Sequence, residues 1–525
     1  MFRTLPSIYS LLEHSAYQYP EKVCVDDSYR SLTYKELLTR SKALAKGLAH
    51  ITKIKKGQAV GVVIINSVTF VEVQFSLLCG GHVMVLLDPE IKYKNLLYAI
   101  EKADLSAIVT DNMKIAKYLK SQLPLMPVIY SGENKVKCCY FLDELFDFSG
   151  NQYRSTITNS NAIASYMFTT GSTGNPKAVV LSHFNVLSAI SNIVEFVGYD
   201  HNYHELITLP LSHNFGLGHV YCNIAMGGRV SLLPGLSDFQ LLFKTLMEKR
   251  PNGFPGTPSG YFILAKRFPK KLQQCGSFLR HIVIDSEPLP PELNIEIRTL
   301  LPNTRIIVYY GLTEASRSTF IDYSIDAEMY FCKSVGKATP NVEIKIVDNN
   351  MCKNQPFEQG RVVIQGNHIM QGYLNDNKLT SEVIKNKWFY TDDIGYLDEN
   401  GYLFLTGRKS TFINKGGIKI DPREIEETLK KNTDVTNVAV VGLNHLDFGT
   451  LIFCVVTLKP DSMLNGNLLK EDCAKNLEKV KIPNEIIILD KIPKSSTGKL
   501  LRDELIQEVI RYTKYDGLEV PQLSQ

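Results

Sequence analysis

The run Ala59-Val60-Gly61-Val62-Val63-Ile64-Ile65 is short, apolar and largely β-branched. A strand with no polar face has to be covered on both sides, as strands of parallel sheets are. Helical spacing follows around Phe70–Leu78, then a strand at Val83–Leu87 that ends in Asp88-Pro89, then another at Ala107-Ile108-Val109-Thr110. Ahead of the run, Leu11, Leu12, Ala16 and Tyr17 share one helical face, and Leu37, Leu38, Ser41, Leu44, Ala45 and Leu48 share another. Strands alternating with helices predict an α/β protein with parallel-type sheets sandwiching helices. Nothing in this first stretch carries chemistry.

The length of 525 residues exceeds the ~250–300 at which one core stops growing, so two or more domains are expected. A net charge of +4 with no basic run gives no electrostatic footprint for nucleic acid. Ten cysteines without a Cys-x-x-Cys read as reduced thiols of a cytoplasmic protein, not as a disulfide framework or zinc site. Met1-Phe2-Arg3-Thr4-Leu5-Pro6 lacks a signal peptide's apolar core. The most apolar window, Phe70 to Leu87, carries Glu72, Gln74 and His82, so no transmembrane segment is expected.

Chemistry enters at Phe168-Thr169-Thr170-Gly171-Ser172-Thr173-Gly174-Asn175-Pro176-Lys177. Apolar residues precede it, Val179, Val180 and Leu181 follow, and a helical pattern runs through Val186, Leu187, Ile190 and Ile193. Small hydroxyl residues and glycines leave backbone N–H groups lightly screened, which suits phosphate oxygens, and Lys177 adds a point charge. An ordinary polar hairpin loop is an equal reading of the loop alone. It is not a Walker loop, because Lys177 follows Pro176 and precedes Ala178.

Further on, the apolar strand Ile306–Tyr310 runs into Gly311-Leu312-Thr313-Glu314. A carboxylate beside a phosphate loop is what a phosphate-bound Mg²⁺ needs, since that ion takes oxygen ligands and few carboxylates. His213 stands in Leu209-Pro210-Leu211-Ser212-His213-Asn214-Phe215-Gly216-Leu217-Gly218; a lone histidine is more often a satisfied structural residue than a ligand. Ile282-Val283-Ile284 leads into Asp285-Ser286-Glu287-Pro288-Leu289. Tyr390-Thr391-Asp392-Asp393, Gly407-Arg408 and Pro493-Lys494-Ser495-Ser496-Thr497-Gly498-Lys499 complete the set.

In kind, order and separation these strings resemble the motifs of the adenylate-forming superfamily, which holds acyl-CoA synthetases, peptide-synthetase adenylation domains and beetle luciferases. The likeness spans residues from about 8 to about 508. It implies a large N-terminal domain of several subdomains (1–407), a hinge (408–410, with Ser410 as pivot) and a small, mobile α+β C-terminal domain (411–525). It also implies residue roles. Thr169, Thr170, Gly171, Ser172, Thr173, Gly174 and Lys177 would hold the β- and γ-phosphates. Ser286, Glu287 and Pro288 would lay backbone against adenine, with Tyr310 stacked on it next to Gly311. Thr313 would touch the α-phosphate, and Glu314 would hold Mg²⁺. Asp393 would accept from the ribose hydroxyls, and Arg408 would donate to the same sugar. His213, Phe215 and Gly216 would line the acid pocket. Lys499 would bridge acid and α-phosphate, and Gly416 and Gly417 would let a pantetheine arm pass.

Several positions depart from the family pattern. Ser286 replaces a glycine, Val308 an Asn or Asp, Arg361 a Glu, Asp392 a glycine, and Ser410 an Asp or Lys. Asn414 replaces the lysine of the oxidising luciferases, against light emission. Where amino-acid-activating relatives place an aspartate for the ammonium group, Asn214 stands, so a plain fatty or aryl acid is expected. The implied activity is an AMP-forming acid–thiol ligase using ATP and Mg²⁺, with coenzyme A as acceptor. The alternative acceptor is the phosphopantetheine of a separate carrier protein. A nucleotide-binding protein without catalysis is a third reading, opposed by the presence of Lys499, Glu314, Asp393 and Arg408.

Overall fold

A computed structural model describes residues 2–518 apart from 53, 133, 148–158, 170–175, 287–288, 326–332, 349–350, 409–412, 416–417, 446–447, 478 and 496–499. The run at Ala59 forms a strand, Ala59–Val63, and every residue of it is buried. It lies fifth in an eight-stranded sheet, after Gly372–Tyr373, Lys177–Ser182, Ile163–Thr169 and Val83–Leu86, and before Leu105–Thr110, Val128–Tyr130 and Tyr140–Phe141. From Ile163–Thr169 to Tyr140–Phe141 the pairing is parallel throughout, as expected. At the other edge it turns antiparallel. The chain between Thr169 and Lys177 is too short for the crossover that a parallel neighbour requires.

A second layer of strands is built from two four-stranded ladders, stitched together where Gly253 bridges both Glu205 and His281. Alternate residues of its strands face opposite cores. Val283 and Ile307 join the core between the sheets, whereas Ile282, Ile284, Ile306 and Val308 join an outer one. A third core covers the far face of the first sheet. The order is therefore helices, sheet, helices, sheet, helices. The helix Val68–Gly80 lies in the middle layer, with every residue except Thr69 buried. A helix in that position must be apolar all round. Its Glu72 is fully buried and ion-paired to Arg30 and Arg40. No helix among the described residues is long and apolar enough to cross a membrane.

From residue 413 onward two further cores are built from local residues alone. They flank the sheet Val435–His445, Gly449–Leu458 and Glu485–Ile488. A helix runs from Gly466 to Asn476 beside it, and a single 3₁₀ turn follows.

The elements that carry the candidate site are, in chain order, β1 (Ile163–Thr169), β2 (Lys177–Ser182), α1 (His183–Val197), α2 (Asn214–Met226), β3 (Arg305–Tyr310), β4 (Gly372–Tyr373), β5 (Trp388–Leu397) and β6 (Leu403–Arg408).

Candidate functional site

β1 and β2 form a hairpin in which Thr169 is paired with Lys177, and the Thr169 hydroxyl donates to the Lys177 carbonyl at 3.4 Å. The two ends of the small-residue loop are thus side by side. Thr170, Gly171, Ser172, Thr173 and Gly174 lie outside the described residues. α1 starts directly after β2 through a reciprocal cap between Ser182 and Asn185. β4 adds to the outer edge of β2, with Tyr373 opposite Val179. That register puts the Tyr373 ring 5.5 Å from Lys177 Nζ, and its hydroxyl donates to Glu314 Oε1 at 2.9 Å.

Cation, ring and carboxylate therefore stand in one row beside the loop. Burial and the Glu314 charge raise the Tyr373 phenol well above its ordinary pKa, which keeps the proton on the donor. The backbone reinforces the link, since Met370 N–H donates to the Glu314 carbonyl at 2.9 Å and Ala315 bridges Ile369. Among the described residues no group of three or more His, Cys, Asp or Glu is placed to hold a metal. One half-buried carboxylate near the end of the candidate phosphate loop nevertheless fits Mg²⁺, an ion that takes oxygen ligands and few carboxylates.

Thr313 and Glu314 occupy a tight turn after β3. Leu312 and Ala315 exchange both backbone hydrogen bonds at 3.1 Å, and Ser318 N–H returns to the Tyr310 carbonyl at 2.8 Å. Tyr310 O–H donates to Asp393 Oδ2 at 2.6 Å, both residues being buried. Asp393 is paired with Arg408 across the β5–β6 ladder, so the two residues expected at the ribose share one register position. Only the backbone of Arg408 is described. Arg361 has a structural use here. Its guanidinium donates to the carbonyls of Thr391 (2.6 Å) and Tyr390 (3.0 Å) and lies 3.7 Å from the exposed Asp392 carboxylate, bracing the strand that presents Asp393. Val308 packs in the outer core, away from Tyr309 and Tyr310. Ser286 has φ +82°, in the left-handed region, which explains why glycine is common at that position. Glu287 and Pro288 lie outside the described residues, as do Ser410, Gly416, Gly417 and Lys499.

His213 is the cap residue of α2, and its backbone N–H donates to the Pro210 carbonyl at 3.2 Å. Its Nε2 is buried without a partner among the described residues, and burial lowers its pKa, so a neutral imidazole is presented. Asn214 Nδ2 donates to the Thr313 carbonyl at 3.4 Å, which ties this helix start to the Thr-Glu turn. Phe215 is a core residue, its ring centroid 5.5 Å from those of His219 and Tyr309. Gly216 has a packing reason: a Cβ there would stand 2.7 Å from the carbonyl oxygens of Leu209 and Pro210. The candidate pocket therefore receives His213 from this string more directly than Phe215 or Gly216. Two residues that the motif reading missed belong to the site, Tyr373 and the buried Arg317, which donates to the carbonyls of Asn214 and Phe215.

Two family models match, the AMP-binding enzyme over residues 12–374 and the AMP-binding enzyme C-terminal domain over 424–499. The chain is 27% identical to a 2-succinylbenzoate–CoA ligase of Bacillus cereus (strain AH820), over 97% of this chain and 99% of that one. It is 26% identical to a long-chain-fatty-acid–CoA ligase of Bacillus subtilis (strain 168), over 96% and 94%. Its fold superposes with a TM-score of 0.82 on o-succinylbenzoate coenzyme A synthetase from Bacillus subtilis in complex with ATP and magnesium ion, at 25% identity over 94% of this chain and 99% of that one. The row of Lys177, Tyr373 and Glu314 and the Tyr310–Asp393 pair are thus found in a chain that belongs to the AMP-binding enzyme family, the adenylate-forming enzymes.

Proposed function

We propose that this chain is an AMP-forming acid–thiol ligase with coenzyme A as the acyl acceptor. The observation that carries the reading is the pair of anchors at the turn after β3. Tyr310 and Asp393 are joined on one side, and Lys177, Tyr373 and Glu314 on the other. One anchor suits a sugar and its base, the other the phosphates. The relatives named as CoA ligases support the same activity.

In the first half-reaction an oxygen of the acid's carboxylate attacks the α-phosphorus, the bond to the bridging oxygen breaks, and pyrophosphate leaves. In the second, the thiol loses its proton, sulfur attacks the acyl carbon, and AMP leaves. The first step brings one anion onto another, so charge neutralisation and alignment dominate. Thr169 to Lys177 would cradle the β- and γ-phosphates, Thr313 would meet the α-phosphate, and Glu314 would hold Mg²⁺, which would supply charge neutralisation at the phosphates. Tyr310 stacks on adenine beside the backbone of Gly311 and residues 286–288, and Asp393 and Arg408 take the ribose. Lys499 bridges acid and α-phosphate. Residues 1–407 form the nucleotide-binding domain, and 411–525 the small domain that brings Lys499 in. Rotation about 408–410, with Ser410 as pivot, admits the pantetheine arm past Gly416 and Gly417. The buried, free thiols Cys24, Cys79, Cys222, Cys275, Cys454 and Cys473 support a cytoplasmic setting.

The test is acid-dependent ATP–pyrophosphate exchange, followed by AMP release with coenzyme A, with a phosphopantetheinylated carrier protein, or with neither. Lys499→Ala should lower the exchange by about 10²–10³, the cost of one well-placed transition-state charge, yet spare thioester formation from supplied acyl-AMP. Unimpaired exchange by this variant would overturn the role of Lys499, and thioester formed only on the carrier would overturn the coenzyme A assignment.

A further inference from the structure

The helix Tyr93–Lys102 carries none of the motif residues, yet it reaches both the hairpin that bears Lys177 and the strand that bears Tyr373. Leu96 and Ala99 anchor it in the core, and Tyr98 lies half-buried at its edge. Tyr98 O–H donates to the Pro176 carbonyl at 3.3 Å. Its ring meets Phe168 edge-on, with the centroids 6.4 Å apart and the planes at 75°. Phe168 and Pro176 each stand one residue before a member of the outermost β1–β2 rung, Thr169–Lys177. One side chain thus touches the strand that enters the small-residue loop and the residue that leaves it.

The carbonyl that Tyr98 holds belongs to the peptide unit whose nitrogen is that of Lys177. That unit is planar, so its orientation sets where the lysine leaves the backbone. The pyrrolidine ring already fixes φ of Pro176, and a bond to the Pro176 carbonyl restrains ψ, the rotation that remains. The far end of the same helix serves Tyr373. The Lys102 carbonyl accepts from Asn375 Nδ2 at 3.5 Å, and between them Leu374 N–H donates to the Ala178 carbonyl at 2.8 Å. Lys177 Nζ and the Tyr373 ring, 5.5 Å apart, therefore stand on backbone segments that one helix braces. Burial, with Asp376 and Glu101 nearby, raises the Tyr98 phenol above its ordinary pKa, so at neutral pH it remains a donor.

We propose that Tyr98 is a positioning residue for Lys177: its hydroxyl fixes the peptide unit before the lysine, so that the ammonium meets the terminal phosphates of ATP. The inference rests on the assignment of Lys177 to those phosphates in the ligase reading. Tyr98 acts through the lysine and touches no substrate atom.

Calorimetry on the full chain with ATP and with AMP, each with Mg²⁺, separates this role from a merely structural one, because AMP lacks the β- and γ-phosphates. Tyr98→Phe removes one neutral hydrogen bond and keeps the ring. It should weaken ATP about two- to tenfold and leave AMP unchanged. Lys177→Ala should weaken ATP at least as much, again sparing AMP. Adding Tyr98→Phe to Lys177→Ala should then cost nothing further, since both act through one cation. Acid-dependent exchange should fall in Tyr98→Phe at limiting ATP, while thioester formation from supplied acyl-AMP should not change. Equal weakening of ATP and AMP, no weakening of either, or a full second loss in the double variant overturns the proposal. ATP affinity unchanged in Lys177→Ala removes the phosphate assignment and this proposal with it. Exchange absent with every acid, while the ATP-selective losses hold, removes the ligase reading and leaves the positioning role standing.

Discussion

Replacing Tyr310 with phenylalanine deletes one oxygen and leaves the ring, so any stacking on adenine survives while the bond to Asp393 does not. That bond runs from a phenol to a carboxylate at 2.6 Å, between residues that are 6% and 4% exposed. A buried hydrogen bond to a charged acceptor contributes about 1.5–3 kcal/mol, roughly twice a neutral one. Its work, in the proposed site, is to hold Asp393 where ribose hydroxyls can reach it. If all of that energy is spent on positioning, ATP binding weakens by about ten- to a hundred-and-fifty-fold. The clean measurement is a double-mutant cycle on ATP affinity by calorimetry, with Tyr310→Phe, Asp393→Asn and the pair. Residues acting through one contact should show a coupling of about 1 kcal/mol or more. A coupling near zero, with ATP affinity unchanged in Tyr310→Phe, would refute the reasoning. Asp393 would then be a structural carboxylate, and the nucleotide would lie elsewhere.

Two further outcomes follow from the same geometry. Tyr373→Phe should raise the Mg²⁺ concentration for half-maximal exchange about tenfold or more, because the phenol orients the Glu314 carboxylate as an outer partner orients a metal ligand; an unchanged Mg²⁺ titration would count against Glu314 as the ligand. Asp285→Asn should change the pH dependence of stability. Desolvation holds this carboxyl at about 7 in the folded chain against 3.8 as its ordinary value, so the folded state binds the extra proton between those pH values, and the contribution of Asp285 to stability falls as pH rises from about 4 to about 7. The Tm of the variant relative to wild type should therefore climb across that window and level off above it, and a difference independent of pH would refute the assignment.

The motif residues were legible because each string carries its meaning locally. Thr313-Glu314 lies at a turn after an apolar strand, and the glycine-rich loop lies between two strands; both features survive without knowledge of what packs beside them. The layered α/β fold was legible for a related reason, since buried strands such as Ala59–Val63 have no polar face to hide. Tyr373 was not legible. Its importance arises because β4 pairs with β2, nearly two hundred residues earlier, at a register that turns the ring toward Lys177 and Glu314. A Gly-Tyr pair in isolation predicts nothing of the kind. Arg361 was visible only as a departure, and its purpose depends on the irregular pairing that sets it against the Tyr390 and Thr391 carbonyls.

Arg317 sits between these cases, and the signal for it was Gly218. The string from Asn214 to Gly218 carries two glycines, and it forms the first turn of a thirteen-residue helix. Glycine inside a helix costs about 1 kcal/mol relative to alanine, so two of them in one turn call for a reason. Gly216 has one in the Leu209 and Pro210 carbonyls, which a methyl group would strike. At Gly218 the nearest atoms a methyl would strike belong to the guanidinium of a residue about a hundred positions later. Part of the helix's stability is given up to seat one charge, and a buried charge is itself a cost. What the guanidinium does at that spot is tie the turn that carries Thr313 to the start of α2, through the carbonyls of Asn214 and Phe215.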